Sequence, residues 1–130
     1  MLYVADTHSI IWFLTKDERL GKKAKGILEK ADEGKVIVII PTIVLAELIF
    51  ICEKKDASIK FKEILDKINE SSNYIYYNLD IKVILEISNL SKIPEMHDRI
   101  ITATAKLNRA TLITKDPEVI RSKFVDTIWD

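Results

Sequence analysis

The stretch "VIIPTIVLAELIF", residues 38 to 50, decides how this chain folds. Its opening belongs to "VIVII", a β-branched apolar run that reads as a strand buried on both faces. Pro41 and Thr42 then open a segment that reads as a helix, because proline suits the start of one. The stretch carries one charge, Glu47. On a helix its neighbours three and four positions away are Ile43, Val44, Phe50 and Ile51, all apolar, so no charged partner shares its face. An unpaired buried carboxylate is costly, so something beyond this helix must compensate it.

The rest of the chain repeats this strand–helix alternation. "LYVA" reads as a strand ending at Asp6, and "THSIIWFLT" as a short helix. "LGKKAKGILEKADEGK" reads as a helix closed by Gly34, and Ser58 is positioned to cap a helix through about Asn69. "YIYY" is a strand, Asp80 caps the helix "IKVILEISNL", and a helix runs from about His97 to Asn108. "TLIT" is a strand, Asp116-Pro117 begins a short helix, and "VDTIW" suits an edge strand. Alternation at this spacing argues for an α/β fold with a parallel sheet covered on both faces. No repeat or linker interrupts it, so residues 1–130 are expected to form one domain.

Composition narrows the function classes. Twenty Lys plus Arg balance twenty Asp plus Glu, so overall charge points to neither nucleic acid nor membrane, and any basic surface must be local. The single Cys52 excludes an intrachain disulfide framework and a cysteine-based metal site. Val36 to Cys52, the longest apolar stretch, is broken by Pro41, Thr42 and Glu47 and is short for a membrane span. With no secretory leader pattern at the start, the expectation is a cytoplasmic protein.

In such folds ligands gather at the carboxyl ends of the strands. Asp6 follows the first strand directly, and Asp116 lies two residues after "TLIT", with Thr114 before it. Glu47 falls in the second turn of the helix leaving "VIVII", and Asp98 in the first turn of the helix leading to "TLIT". Each has a plainer role available: Asp6 and Asp116 as helix caps, Asp98 as a favourable charge at a helix start, Glu47 as partner of a distant Lys or Arg. Together they suggest more. Converging carboxylates repel and their pKa values rise unless a cation sits among them. Mg²⁺ or Mn²⁺ suits hard oxygen ligands with water completing the shell, and could activate water against a phosphodiester.

Four blocks carry a resemblance to a known family. "VADTHSIIWFL", "PTIVLAEL", "HDRIITATA" and "TLITKD" resemble, in order, the motifs of PIN-domain proteins of the VapC toxin type. The resemblance implies a three-layer α/β/α sandwich with a central, mainly parallel sheet. It also implies a Mg²⁺- or Mn²⁺-dependent endoribonuclease, the toxin of a type II toxin–antitoxin pair. Asp6, Glu47 and Asp98 carry over as metal-site acids, and Asp116 as a fourth whose position varies in the family. Thr114 and Thr7 carry over as hydrogen-bonding supports. A homodimer, a cognate antitoxin bound across the acidic cleft and an RNA substrate are implied as well.

Other residues have weaker claims. Glu95 could be a further acid at the rim or a solvated side chain. His8 and His97 adjoin proposed ligand acids, but their spacing matches no zinc pattern, and hydrogen-bonding roles suit them better. Lys22, Lys23, Lys25, Lys54 and Lys55 could meet phosphates or simply be solvated, and Arg99 could contact a phosphate or an acid. Two rival readings remain: a receiver-type phosphoacceptor, with Thr114 and Lys115 late in the chain, and an inactive PIN-like binding domain. Receivers carry paired acids after the first strand, where this chain has only Asp6.

Overall fold

The computed structural model describes residues 1–54 and 56–130, so Lys55, one of the candidate phosphate-binding lysines, lies outside the described residues. Five strands form one sheet: β1 (Leu2–Ala5), β2 (Ile37–Pro41), β3 (Tyr74–Tyr77), β4 (Thr111–Ile113) and β5 (Thr127–Ile128). Their order is β3-β2-β1-β4-β5, and every pairing is parallel. Val38, Ile39, Ile40, Val4, Ala5, Leu112 and Ile113 are all buried. Successive strand residues face opposite sides, so consecutive burial means helices cover both faces. The three-layer α/β/α sandwich is thus observed, with a wholly parallel sheet.

Among the described residues there are seven helices: α1 (Thr7–Leu14), α2 (Lys22–Asp32), α3 (Thr42–Cys52), α4 (Phe61–Asn69), α5 (Ile81–Ile87), α6 (Met96–Leu107) and α7 (Pro117–Ser122). Local signals set many of their ends. Asp6, Asp80 and Asp116 each accept an amide at a helix start, from Ser9, Val83 and both Glu118 and Val119. Gly34 takes a positive φ of 77° just past α2, where a side chain would be strained. Six consecutive residues of α6, Ile100 to Ala105, are buried, so this helix is packed on nearly every side.

Two expectations need correction, and the burial of α3 adds a further observation. Ser58 does not cap α4; the helix starts at Phe61 with Lys60 before it, whose amide donates to the Glu63 carboxylate. Ile59 is buried and Phe61 packs on the core, and residues two apart cannot share a helix face, so the chain turns between them. α5 ends at Ile87, not near Leu90; Leu90 and Ile93 extend the apolar pattern but plug the core from a loop. α3 is apolar all round in sequence, yet only Val44 and Leu48 are buried and Phe50 is 71% exposed.

Chain order along the sheet reverses at β1: β2 and β3 are added on one side, β4 and β5 on the other. Crevices in parallel sheets open at such a reversal, here between β1 and β4. This order also separates the fold from the receiver type, whose order is 2-1-3-4-5. Among the described residues, no helix is long and apolar enough to cross a membrane.

Candidate active site

The reversal point holds the acids. β1 ends in Asp6 and β4 runs into Thr114 and Asp116, so neighbouring strands deliver two carboxylates to one edge. Asp98 and Glu47 arrive from α6 and α3, which pack against each other. A cavity of about 260 Å³ is lined by Asp6, Thr7, His8, Glu47, Asp98, Ile101, Lys115, Asp116 and Pro117. The four acids singled out in the sequence therefore face one space. A larger groove of about 770 Å³ lies elsewhere, lined by Lys22 and Lys25 among others, and none of the four acids lines it.

Three carboxylates are fixed through one oxygen each. Asp6 Oδ1 accepts from the Ser9 amide at 2.9 Å, and Asp116 Oδ1 accepts from the Glu118 and Val119 amides at 2.9 and 3.1 Å. Glu47 Oε1 accepts from the Thr7 hydroxyl at 2.6 Å, across 40 residues of sequence. Each of these bonds orients a carboxylate that also lines the cavity. The plain capping role and the cavity-lining position are thus compatible for Asp6 and Asp116. Thr114 Oγ1 accepts from the Asp116 amide at 3.1 Å, tying the end of β4 to the start of α7.

Glu47 finds its hydrogen-bond partner in a neutral hydroxyl on another helix. Among the described residues no Lys or Arg pairs with it; the Thr7 hydroxyl bonds one oxygen and His97 Nδ1 stands 3.9 Å from the other. The same His97 nitrogen lies 2.7 Å from Glu95 Oε1. Glu95 caps α6 by accepting the Asp98 amide at 2.9 Å, so it belongs to the frame of the site. Burial works to raise the Glu95 carboxyl, but bonds from the Asp98 and His97 amides and the His97 ring outweigh it and hold it low.

Electrostatics single out Asp98. Burial, then the charges of Asp116, Glu95, Glu47 and Asp6, push its carboxyl from 3.8 up to about 7. Asp6 is also raised, chiefly by burial, against the lowering effect of hydrogen bonds from Ser9 and Thr114. For Asp98 the neighbouring acids add to burial, whereas for Asp6 burial alone raises the carboxyl. Among the described residues, no three His, Cys, Asp or Glu side chains stand close enough together to ligate one ion directly. The donor set still suits Mg²⁺ or Mn²⁺, which use one or two carboxylates and keep several waters.

Arg99 is placed differently from expectation. Its Nε donates to the Ile93 carbonyl and its Nη2 to the Ser91 carbonyl at 3.4 Å, and it does not line the cavity. Adjacent helix residues project about 100° apart, so Asp98 and Arg99 cannot share a target. His8 is exposed and its ring lies 5.0 Å from that of Trp12. Sequence reasoning gave Lys115 no place in the acid site, yet among the described residues it is the one lysine or arginine lining this cavity. Its place between Thr114 and Asp116 was the available signal.

Comparison with known proteins fits this geometry. The family model described as "PIN domain" matches residues 3–125, and the chain belongs to that family. Comparison with curated proteins gave no match. Among solved structures, the chain is similar to VapBC2 from Rickettsia felis bound to a DNA fragment from their promoter. There the TM-score is 0.75 and identity 22%, over 100% of both chains. It is also similar to a toxin–antitoxin complex from Klebsiella pneumoniae, with TM-score 0.67 and 22% identity over 95% of this chain and 94% of that one. DNA-bound VapBC from Salmonella typhimurium gives 0.68 and 19%, over 98% of each chain. At these identities the likeness is one of fold.

Proposed function

We propose that the chain is a VapC-type toxin, a Mg²⁺- or Mn²⁺-dependent endoribonuclease in which Asp6, Glu47, Asp98 and Asp116 form the metal site. One observation carries the reading: four acids from four separate segments line one small cavity, and Asp98 is held near 7 by burial and the charge of the others. A fold needs no such arrangement for its stability, since like charges brought together oppose it. PIN domains of VapC toxins are generally nucleases, which fits a cavity built of hard oxygen donors.

When bound, the divalent ion would supply the positive charge that offsets these carboxylates and would activate water against a phosphodiester. The chain's own residues do the positioning. Thr7 fixes Glu47, Ser9 fixes Asp6, and the first turn of α7 fixes Asp116. Asp98, with no such anchor and a pKa near 7, is the carboxyl that gives up its proton as positive charge enters. Ile101 supplies an apolar part of the cavity's lining.

The partners follow from the same reading. RNA is the substrate, and a cognate antitoxin covers the cavity when the toxin is silent. Phe50, Ile81, Leu85 and Met96 are 58–71% exposed, and a second copy of the chain would cover part of that apolar area. The test is Mn²⁺-dependent cleavage of RNA by wild type and Glu47→Ala, with circular dichroism as the fold control. Cleavage should vanish with the spectrum intact; a variant that still cuts RNA only when Mn²⁺ is present refutes the site.

A further inference from the structure

An RNA approaching four carboxylates needs a cation at the entrance, and the structure holds one there in an unusual setting. Lys115 lines the acid cavity, and its Nζ stands 4.6 Å from the centroid of the Trp12 ring. Arg19 lies over the same indole, its Cζ 4.6 Å from the centroid, and is oriented by two bonds to Asp17 at 3.0 and 2.7 Å. Trp12 itself is only 7% exposed and packs edge-on to Trp129 at 6.0 Å. The indole is therefore a fixed platform, and the cations on it are placed by packing.

The backbone of Lys115 is equally constrained. Thr114 before it accepts the amide of Asp116 after it, and Asp116 caps α7. Beyond the acid cavity lies a second cleft of about 400 Å³, whose lining includes His8, Trp12, Arg19 and Lys54 together with Asp17 and Asp56. His8 lines both spaces, so they meet at its exposed ring. The junction offers cations beside an exposed aromatic, the combination that holds a single-stranded nucleic acid by phosphate and base together.

Resting on the ribonuclease reading above, we propose that this junction is a nucleotide subsite: Lys115, seated on Trp12, binds the RNA phosphate next to the scissile one, and His8 stacks on its base. The strand then leaves through the cleft lined by Arg19 and Lys54. Asp17 forms its ion pair with Arg19 at 2.7 Å, and the charge of Lys115 also helps to hold its carboxyl low, so Lys115 shares this acid with Arg19 and is not its bonded partner. Lys115 acts here as a positioning residue for the substrate and leaves the acids to the chemistry.

The test compares wild type, Lys115→Ala and Lys115→Arg in Mn²⁺-dependent cleavage and in binding of fluorescein-labelled single-stranded RNA at several salt concentrations. Lys115→Ala should raise KM and weaken binding by roughly threefold to tenfold, and lower the salt slope by about 0.7, the value for one phosphate contact to a single strand. Its kcat should stay within about twofold, and Lys115→Arg should restore binding. His8→Ala should weaken binding without changing the salt slope. Lys115→Ala with wild-type binding and salt slope, or a loss that appears in kcat alone, overturns the subsite while leaving the ribonuclease reading standing. A wild type that neither cuts nor binds RNA overturns both.

Discussion

Replacing Asp98 with Asn should stabilise the metal-free protein above pH 7 and leave it nearly unchanged near pH 4. In an unfolded chain this carboxyl ionises near 3.8, whereas burial and the surrounding acids hold it near 7 in the folded one. Below about pH 4 both states carry the proton, so the group contributes no pH dependence. Between about pH 4 and pH 7 the folded state keeps a proton that the unfolded state has lost. Stability therefore falls as pH rises through that window, and the loss is complete above about 7. Asparagine does not titrate, so the variant lacks this fall.

The magnitude can be bounded. Taken at face value, a rise from 3.8 to about 7 corresponds to about 4 kcal/mol. Asp98 is only partly buried and opens onto a solvent-filled cavity, so screening reduces this to about 1–2 kcal/mol. Losing its charge in the first turn of α6 gives back up to about 1 kcal/mol. A net gain near 1 kcal/mol shifts Tm by about 4 °C for a chain of this length. Thermal melting in EDTA from pH 4 to pH 8.5 reads this directly. Two Tm curves that run parallel across the range would refute the electrostatic account. A repeat with Mn²⁺ should stabilise wild type more than the variant, because an ion that binds only the folded site stabilises by mass action.

Further substitutions separate frame from chemistry. Asp116→Ala should cost about 1 kcal/mol through the lost α7 cap, while Asp116→Asn keeps the cap and should cost little; both should lose Mn²⁺-dependent cleavage, measured alongside urea midpoints. Thr7→Val removes the hydroxyl that holds Glu47 at 2.6 Å and should lower stability by about 1 kcal/mol, with kcat falling and KM little changed. Gly21→Ala would place a methyl 2.2 Å from the Trp129 carbonyl oxygen and 2.6 Å from its ring, so the C-terminal segment must move; a loss of about 1–3 kcal/mol in chemical denaturation is expected.

Legibility followed the range of the interaction. The starts of α1, α5 and α7 were readable because an aspartate and the amide it accepts lie within three residues. β2 and α3 were readable because a β-branched run meets Pro41. The start of α4 was missed because it depends on how Ile59 and Phe61 meet the core, which no local cap reports. Arg99 was misread for a related reason. Its neighbour Asp98 suggested a shared site, but the carbonyls it serves belong to the loop before α6, which becomes a fixed strut only in three dimensions. Lys115 was passed over because its partner, Trp12, lies on α1, a hundred residues earlier in the chain.

The compensation of Glu47 shows how this chain reconciles folding with an acid-lined cavity. Neutral donors orient three of the acids: the Thr7 hydroxyl and the amides of Ser9, Glu118 and Val119. An arginine or lysine in their place would have bound the carboxylates more tightly and neutralised the cavity permanently. Neutral anchors instead fix geometry and leave the charge in place, and the cost of that charge collects on Asp98 as a raised pKa. Lys115, which lines the cavity, is seated over an indole, where it can face an incoming anion. On the proposed reading, a bound cation would supply the charge that these fixed carboxylates lack.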